Sequence, residues 1–355
     1  MISAVPHVAA MSPYALADLG GTNTVSMAQN ESAFAPSPAA IEAGQAALAN
    51  AALYPDPDWQ DLRAAIATVH GLKPGQILCG AGSMELISAL FQGFAGKGDA
   101  VLGSRFGYAL GPMASNLAQA TFIAADEPGY AVSVESLTKQ ITPQTRMVYV
   151  CNPGNPTGTL IANAKLVDLR EALPENVLLV IDQAYGEFGD VAQKRAELFA
   201  LVERGNTVIL RSFSKAYGLA GARVGWGYFP PAVAAEIRKL LNPSNISGVS
   251  QAMATAAMDD QPYMQKVVSQ TSDIRDKFAR DLRELGIRVP PSYTNFVLLR
   301  FDDEQTAAAA DQALRADGLM MRSMGGYDLP HCLRATICAP DVMERALAVF
   351  RQGMG

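Results

Sequence analysis

The chain has 355 residues, enough to bury a large core and, as a soft expectation, to form two domains. Apolar residues make up 49% and charged residues 17%, which excludes a disordered chain and describes a rather apolar globular protein. The formal net charge of -6 argues against nucleic acid and against anionic membrane surfaces as partners.

No stretch approaches 18 uninterrupted apolar residues, so no membrane span is expected. The opening MISAVPHVAAMSPY has neither a basic region nor a sustained apolar segment, which argues against a signal peptide and for the cytoplasm. Cys79, Cys151, Cys332 and Cys338 form no CxxC and have no histidines at zinc spacing. They read as small core residues in a reducing compartment, and no metal is expected.

Residues 1 to about 37 carry Pro6, Pro13, Gly20-Gly21 and Pro36 and read as an irregular, extended arm. An alanine-rich helix is expected over Pro38–Asn50, then a turn at Tyr54-Pro55-Asp56-Pro57 and a helix over Trp59–His70. Apolar strands then alternate with helical stretches. The strands are Gln76–Cys79, Ala100–Leu102, Thr121–Ile123, Arg146–Cys151, Val177–Ile181, Thr207–Leu210 and Val224–Tyr228. Such alternation predicts an α/β fold with a mostly parallel seven-stranded sheet covered on both faces by helices.

Beyond Pro230 the pattern changes. A long helix over about residues 263–285 leads to strands at Phe296–Phe301, Leu319–Arg322 and Leu333–Ile337, with a last helix from Asp341. This predicts a second, smaller α+β domain. The expected division is an arm over 1–37 that joins the small domain, a large domain over 38–238 and a small domain over 239–355.

Four motifs follow these strands, where open α/β sheets bind ligands. Gly80-Ala81-Gly82-Ser83 opens a helix, and the amides of Ser83 and Met84 suit a phosphate; a tight helix cap would read the same. Tyr108 follows the second strand and suits either a cofactor ring or core packing. Asn152-Pro153-Gly154-Asn155-Pro156-Thr157-Gly158 presents Asn155 on a constrained turn. Asp182 closes an apolar strand, with Tyr185 three residues on. A carboxylate there is costly unless paired, and a protonated pyridine nitrogen or a helix N-terminus would pair it.

The most informative run is Arg211-Ser212-Phe213-Ser214-Lys215, with Arg223 eight residues beyond the lysine. A lysine at the end of a core strand loses solvation, falls in pKa and becomes an amine nucleophile toward a carbonyl. Ser212, Ser214 and the planar fork of Arg223 suit a phosphate. An aldehyde-reactive lysine beside a phosphate cup is what pyridoxal 5'-phosphate requires.

The ordered set GAGSMEL, CNPGNPTGT, IDQAY and RSFSKAYGLAGARVGW resembles the fold type I pyridoxal-phosphate enzymes. It is most similar to the histidinol-phosphate aminotransferase group of the class I/II aminotransferases, over nearly the whole chain. The resemblance implies that Lys215 holds the cofactor and shuttles the proton, and that Asp182 pairs with the ring nitrogen. Asn155 and Tyr185 become donors to the ring oxygen, and Tyr108 the stacking residue. Ser83, Met84, Ser212, Ser214 and Arg223 become the phosphate cup. It further implies that Tyr54 reaches the cofactor phosphate of a second subunit, hence a homodimer with shared active sites. Arg334 would grip a substrate carboxylate, with Arg322, Tyr14 and Asn155 also in the substrate pocket.

Two positions depart from the pattern: Gln183 replaces a glutamate and Met84 an aspartate. The expected activity is transamination between an amino donor (histidinol phosphate or an aromatic amino acid) and a 2-oxo acid such as 2-oxoglutarate. A decarboxylase or lyase of the same fold acting on a phosphorylated amino acid is the alternative. A dinucleotide-dependent oxidoreductase is disfavoured, because no GxGxxG follows the first strand.

Overall fold

The computed structural model describes residues 2–13, 18, 20, 21 and 23–353. Seven strands form the larger sheet: β2 (Ile77–Gly80), β3 (Ala100–Ser104), β4 (Thr121–Ala125), β5 (Thr145–Cys151), β6 (Leu178–Asp182), β7 (Thr207–Ser212) and β8 (Gly225–Tyr228). A shorter strand of the arm, β1 (Val25–Met27), precedes them.

The order across the larger sheet is β2-β8-β7-β6-β5-β3-β4, and only β8 runs against the others. The central strands are buried along their whole length, as a sheet covered on both faces requires. The chain runs outward from β3 to β4 and then returns to β5 and continues the other way. The carboxyl ends of β3, β5, β6 and β7 therefore meet around a topological switch point.

The smaller sheet has the order β1-β10-β11-β9, with β9 (Phe296–Arg300), β10 (Leu319–Ser323) and β11 (Cys332–Thr336). Strand β1 pairs in parallel with β10, from Val25 opposite Leu319 to Met27 opposite Met321. A separate core of Phe278, Leu299, Leu314, Leu333 and Leu347 fills the space under this sheet. The arm is thus tied to the smaller unit through backbone pairing.

The helix Gly248–Asp259, which falls beyond residue 238, buries Ala254, Ala257 and Met258 in the core of the larger sheet. The long helix Gln261–Glu284 then crosses from one core to the other: Met264 and Val268 lie in the first, Phe278 and Leu282 in the second. Its apolar positions recur at helical spacing, which is why one helix can serve both. No helix among the described residues is long and apolar enough to cross a membrane. Nor does any group of three or more His, Cys, Asp or Glu among them stand where it could hold a metal ion.

Candidate active site

A cavity of about 390 Å³ opens above the carboxyl ends of β5, β6 and β7. Ser83, Met84, Tyr108, Asn155, Asp182, Tyr185, Ser212, Ser214, Lys215, Arg223, Arg322 and Arg334 all line it, although they come from seven separate stretches of the chain. Tyr54 does not line it; its side chain is 94% exposed at the surface of this chain. Tyr14 lies outside the described residues.

Lys215 sits at the turn after β7. Its Nζ donates to the carbonyls of Asn30, at 2.9 Å, and Gln29, at 3.3 Å. Burial removes solvent from the ammonium, and Arg334 and Arg223 add repulsion, so its pKa falls to about 7. A substantial neutral fraction at neutral pH follows, which an amine needs to attack an aldehyde or accept a proton.

Asp182 is 4% exposed. Its Oδ2 accepts from Tyr149 Oη at 2.7 Å and its Oδ1 from the Ala184 amide at 3.0 Å. Burial nevertheless raises its pKa. Cys151 Sγ adds a weak third contact at 3.9 Å; a buried carboxylate with only neutral donors is stabilised further by a cationic N–H, and a pyridine nitrogen fits that need. Tyr149 lies in β5, three residues before Asn152, and the motif reading missed it. A tyrosine inside the otherwise apolar run Met147-Val148-Tyr149-Val150-Cys151 was the available signal.

The side chain of Gln183, one of the two departures, turns to Arg211 and not to the Asp182 carboxylate. Its Oε1 accepts from Arg211 Nη2 at 3.0 Å, and Arg211 is fully buried with Asp190 and Glu187 as its acids. With two carboxylates already on one guanidinium, a neutral residue at 183 keeps the knot from carrying excess negative charge.

Asn155 Oδ1 accepts from Arg334 Nη1 at 2.6 Å, so Nδ2 is the group left to donate. Arg334 Nη2 donates to the Ala28 carbonyl at 2.7 Å, and the guanidinium lies 5.2 Å from the Phe296 ring centre. Tyr185 Oη accepts from Asn30 Nδ2 at 2.7 Å, which leaves its own hydrogen to give. Asn30, Pro153 and Tyr327 also line the cavity without having been singled out from sequence. Asn30 reaches Tyr185 across 155 residues of chain. No local pattern reports such a contact.

The expected phosphate cup depends on two close approaches. Gly82 has φ +77, and a Cβ there would come within 2.5 Å of Arg223 Nη2; a Cβ on Gly225 would run into the Ser83 amide. Only glycine lets β8, Arg223 and the N-terminus of the helix Ser83–Phe94 come this close. Arg223 Nη1 is steered by the Ala220 carbonyl at 2.8 Å and Ser214 Oγ at 3.4 Å. Glu85 braces the turn, with Oε2 accepting from the Ala81 amide and from Asn245 Nδ2, each at 2.6 Å. A helix N-terminus, two hydroxyls and a guanidinium around one space fit a phosphate, and Lys215 and Asp182 fit an aldehyde and a pyridine ring.

Glu127 braces the turn leading to Tyr108: its Oε2 accepts from the Phe106 amide at 2.7 Å. Burial pushes its pKa up from 4.5 to about 7. A carboxyl whose pKa is higher folded than unfolded adds stability below about pH 4.5 that is lost as pH rises through about 7. Glu127→Gln is therefore expected to flatten the melting temperature between those pH values. A wild-type slope retained in the variant, by scanning calorimetry, would assign the dependence to other groups.

The family model for "Aminotransferase class I and II" matches residues 22–350. A histidinol-phosphate aminotransferase of Jannaschia sp. (strain CCS1) is 41% identical over 329 residues, covering 93% of this chain and 91% of that protein. The enzyme of that name from Rhodospirillum centenum is 42% identical over 327 residues, covering 92% and 90%. The crystal structure of histidinol-phosphate aminotransferase from Sinorhizobium meliloti, in complex with pyridoxal-5'-phosphate, superposes with a TM-score of 0.93 at 27% identity over 100% of this chain and 98% of that one. All three are aminotransferases, which does not favour the decarboxylase or lyase alternative. The fold, the cavity and these matches agree: the chain belongs to the class I and II aminotransferases, a pyridoxal-phosphate-dependent family of enzymes that transfer amino groups.

Proposed function

We propose that this aminotransferase moves an amino group from histidinol phosphate to a 2-oxo acid, 2-oxoglutarate, with pyridoxal phosphate held over β5–β7. The observation that carries the reading is Lys215, an amine with a pKa near 7 at the head of a cup made by Ser83, Ser212, Ser214 and Arg223. The relatives at 41% and 42% identity carry the name histidinol-phosphate aminotransferase over more than nine-tenths of this chain, which favours that donor over aromatic amino acids.

Bound pyridoxal phosphate supplies an aldehyde that takes up the amine and a ring that spreads the charge left when a proton leaves the substrate carbon. Lys215 Nζ would hold that aldehyde, and the same amine would accept and return the proton at the donor carbon. Asp182 keeps a proton on the ring nitrogen. Asn155 Nδ2 and Tyr185 Oη would donate to the ring oxygen, and Tyr108 would cover the ring. The Ser83 and Met84 amides, Ser212, Ser214 and Arg223 anchor the phosphate. Arg334 grips the carboxylate of the oxo acid, with Arg322 also in the substrate pocket.

A donor panel scored with 2-oxoglutarate tests the reading. Histidinol phosphate is expected to give the highest kcat/KM; a higher value for phenylalanine or tyrosine would reassign the donor. Arg322→Ala is expected to cost histidinol phosphate roughly 10–100-fold in kcat/KM, the range of a charge-assisted hydrogen bond, and phenylalanine much less. Equal losses would make Arg322 structural.

The working form is a cytoplasmic homodimer in which Tyr54 reaches the phosphate of the partner's cofactor. Its exposure on this chain and its absence from the lining of the chain's own cavity support that reading. The sequence puts the boundary between the large and small domains at residue 238; we propose instead that it lies within the helix Gln261–Glu284, because that helix contributes side chains to both cores. Sedimentation at assay concentration is expected to give a dimer, and a fully active monomer would remove Tyr54 from the site.

A further inference from the structure

Three arginines, Arg283, Arg288 and Arg300, meet around a second cavity of about 450 Å³ that the transfer reaction does not use. Arg288 stands directly opposite Arg300 across an isolated antiparallel bridge, with the Arg300 amide donating to the Arg288 carbonyl at 2.8 Å. Like charges set opposite one another on paired backbone repel. The protein carries more carboxylates than cations, yet none lines this cavity; the rest of the wall is Gly129, Tyr130, Gly286, Ile287, Val289 and Pro290.

The N–H groups of the three are incompletely used. Arg283 directs Nε and Nη2 at one carbonyl, that of Val289, at 2.9 and 2.8 Å. Arg288 Nη2 bonds the Phe301 carbonyl at 3.3 Å and, at 2.7 Å, Asp302, whose side chain is 91% exposed. Arg300 has no ion pair among the described residues, and its buried Nε has no hydrogen-bond partner there. Its guanidinium is held 4.3 Å from the Tyr130 ring centre. Phe106 stacks on the same ring at 5.6 Å, so the aromatic surface is already engaged and recognition falls to the guanidinium N–H groups.

We propose that this cavity binds a small oxyanion of the phosphate class carrying at least two negative charges. Such a group offsets the Arg288–Arg300 repulsion and accepts from the planar forks of several arginines at once. The site also bridges the two units of the fold. Tyr130 precedes the helix Val134–Lys139 of the larger unit, and its carbonyl accepts from Thr159 Oγ1 at 2.8 Å, just beyond the loop that carries Asn155. The arginines belong to the smaller unit, so an occupied site ties its edge to that loop.

Titration calorimetry of the holoenzyme with inorganic pyrophosphate at fixed ionic strength tests the proposal. Because the substrate pocket also offers arginines, Arg322→Ala is the control. Binding is expected in wild type and in Arg322→Ala, and at least ten-fold weaker in both Arg288→Ala and Arg300→Gln. Arg288→Ala removes only an exposed side chain, so its fold is retained. Absence of binding in wild type, loss of binding in Arg322→Ala, or unchanged affinity in Arg288→Ala and Arg300→Gln would each overturn the assignment.

Discussion

Lys215→Ala is expected to lower kcat by at least about 10⁴-fold, the upper range for a positioned general acid–base group, because the proposed function gives the same amine the role of nucleophile as well. The proposed phosphate cup is built from other residues, so the variant should still take up pyridoxal phosphate. The fall in pKa to about 7 adds a second signature. Apo wild-type protein is expected to react with the aldehyde at a rate that rises through about pH 7, not through the ordinary lysine range. The same shift works on stability. An amine whose pKa is depressed on folding contributes stability that is present above the unfolded value of 10.5 and is lost as pH falls through about 7. A stopped-flow pH profile of cofactor uptake checks the first point. A midpoint near 10 would place Lys215 in solvent-like surroundings.

Asp182→Asn is the second large effect expected, roughly 10²–10³-fold in the single-turnover rate, the scale of losing one preorganised electrostatic partner. Tyr149 Oη and the Ala184 amide now donate to the carboxylate, and one face of an asparagine amide accepts only one of them. The substitution also relieves the cost of burying a charge, so the melting temperature should hold or rise while the rate falls. That opposite movement separates a role in catalysis from a role as a helix cap. An unchanged rate with a lower melting temperature would mark Asp182 as structural.

The sheet and the cavity were legible because the chemistry sits on short motifs at strand ends. Lys215 two residues after Phe213, Asn155 between two prolines and Asp182 at the end of Leu179-Val180-Ile181 each carry their context within a few residues. What escaped depends on contacts between distant segments. Val25-Ser26-Met27 is too short to show a period, and becomes a strand only because β10 offers it an edge. Asn30 reaches both Lys215, through its carbonyl, and Tyr185, through its amide, from an arm that reads as irregular. The buried role of Arg211 was equally hidden, since an arginine after an apolar strand looks like a surface residue until Asp190 and Glu187 are placed beside it. The departure at Gln183 is explained by that same knot and not by the cavity.

The central claim is that Lys215 is the residue that binds the cofactor. Borohydride reduction of the holoprotein followed by peptide mass mapping tests it most directly. The pyridoxyl group is expected on the peptide containing Lys215 and on no other. Labelling of a different lysine, or no stable labelling in protein purified with pyridoxal phosphate, would contradict the account.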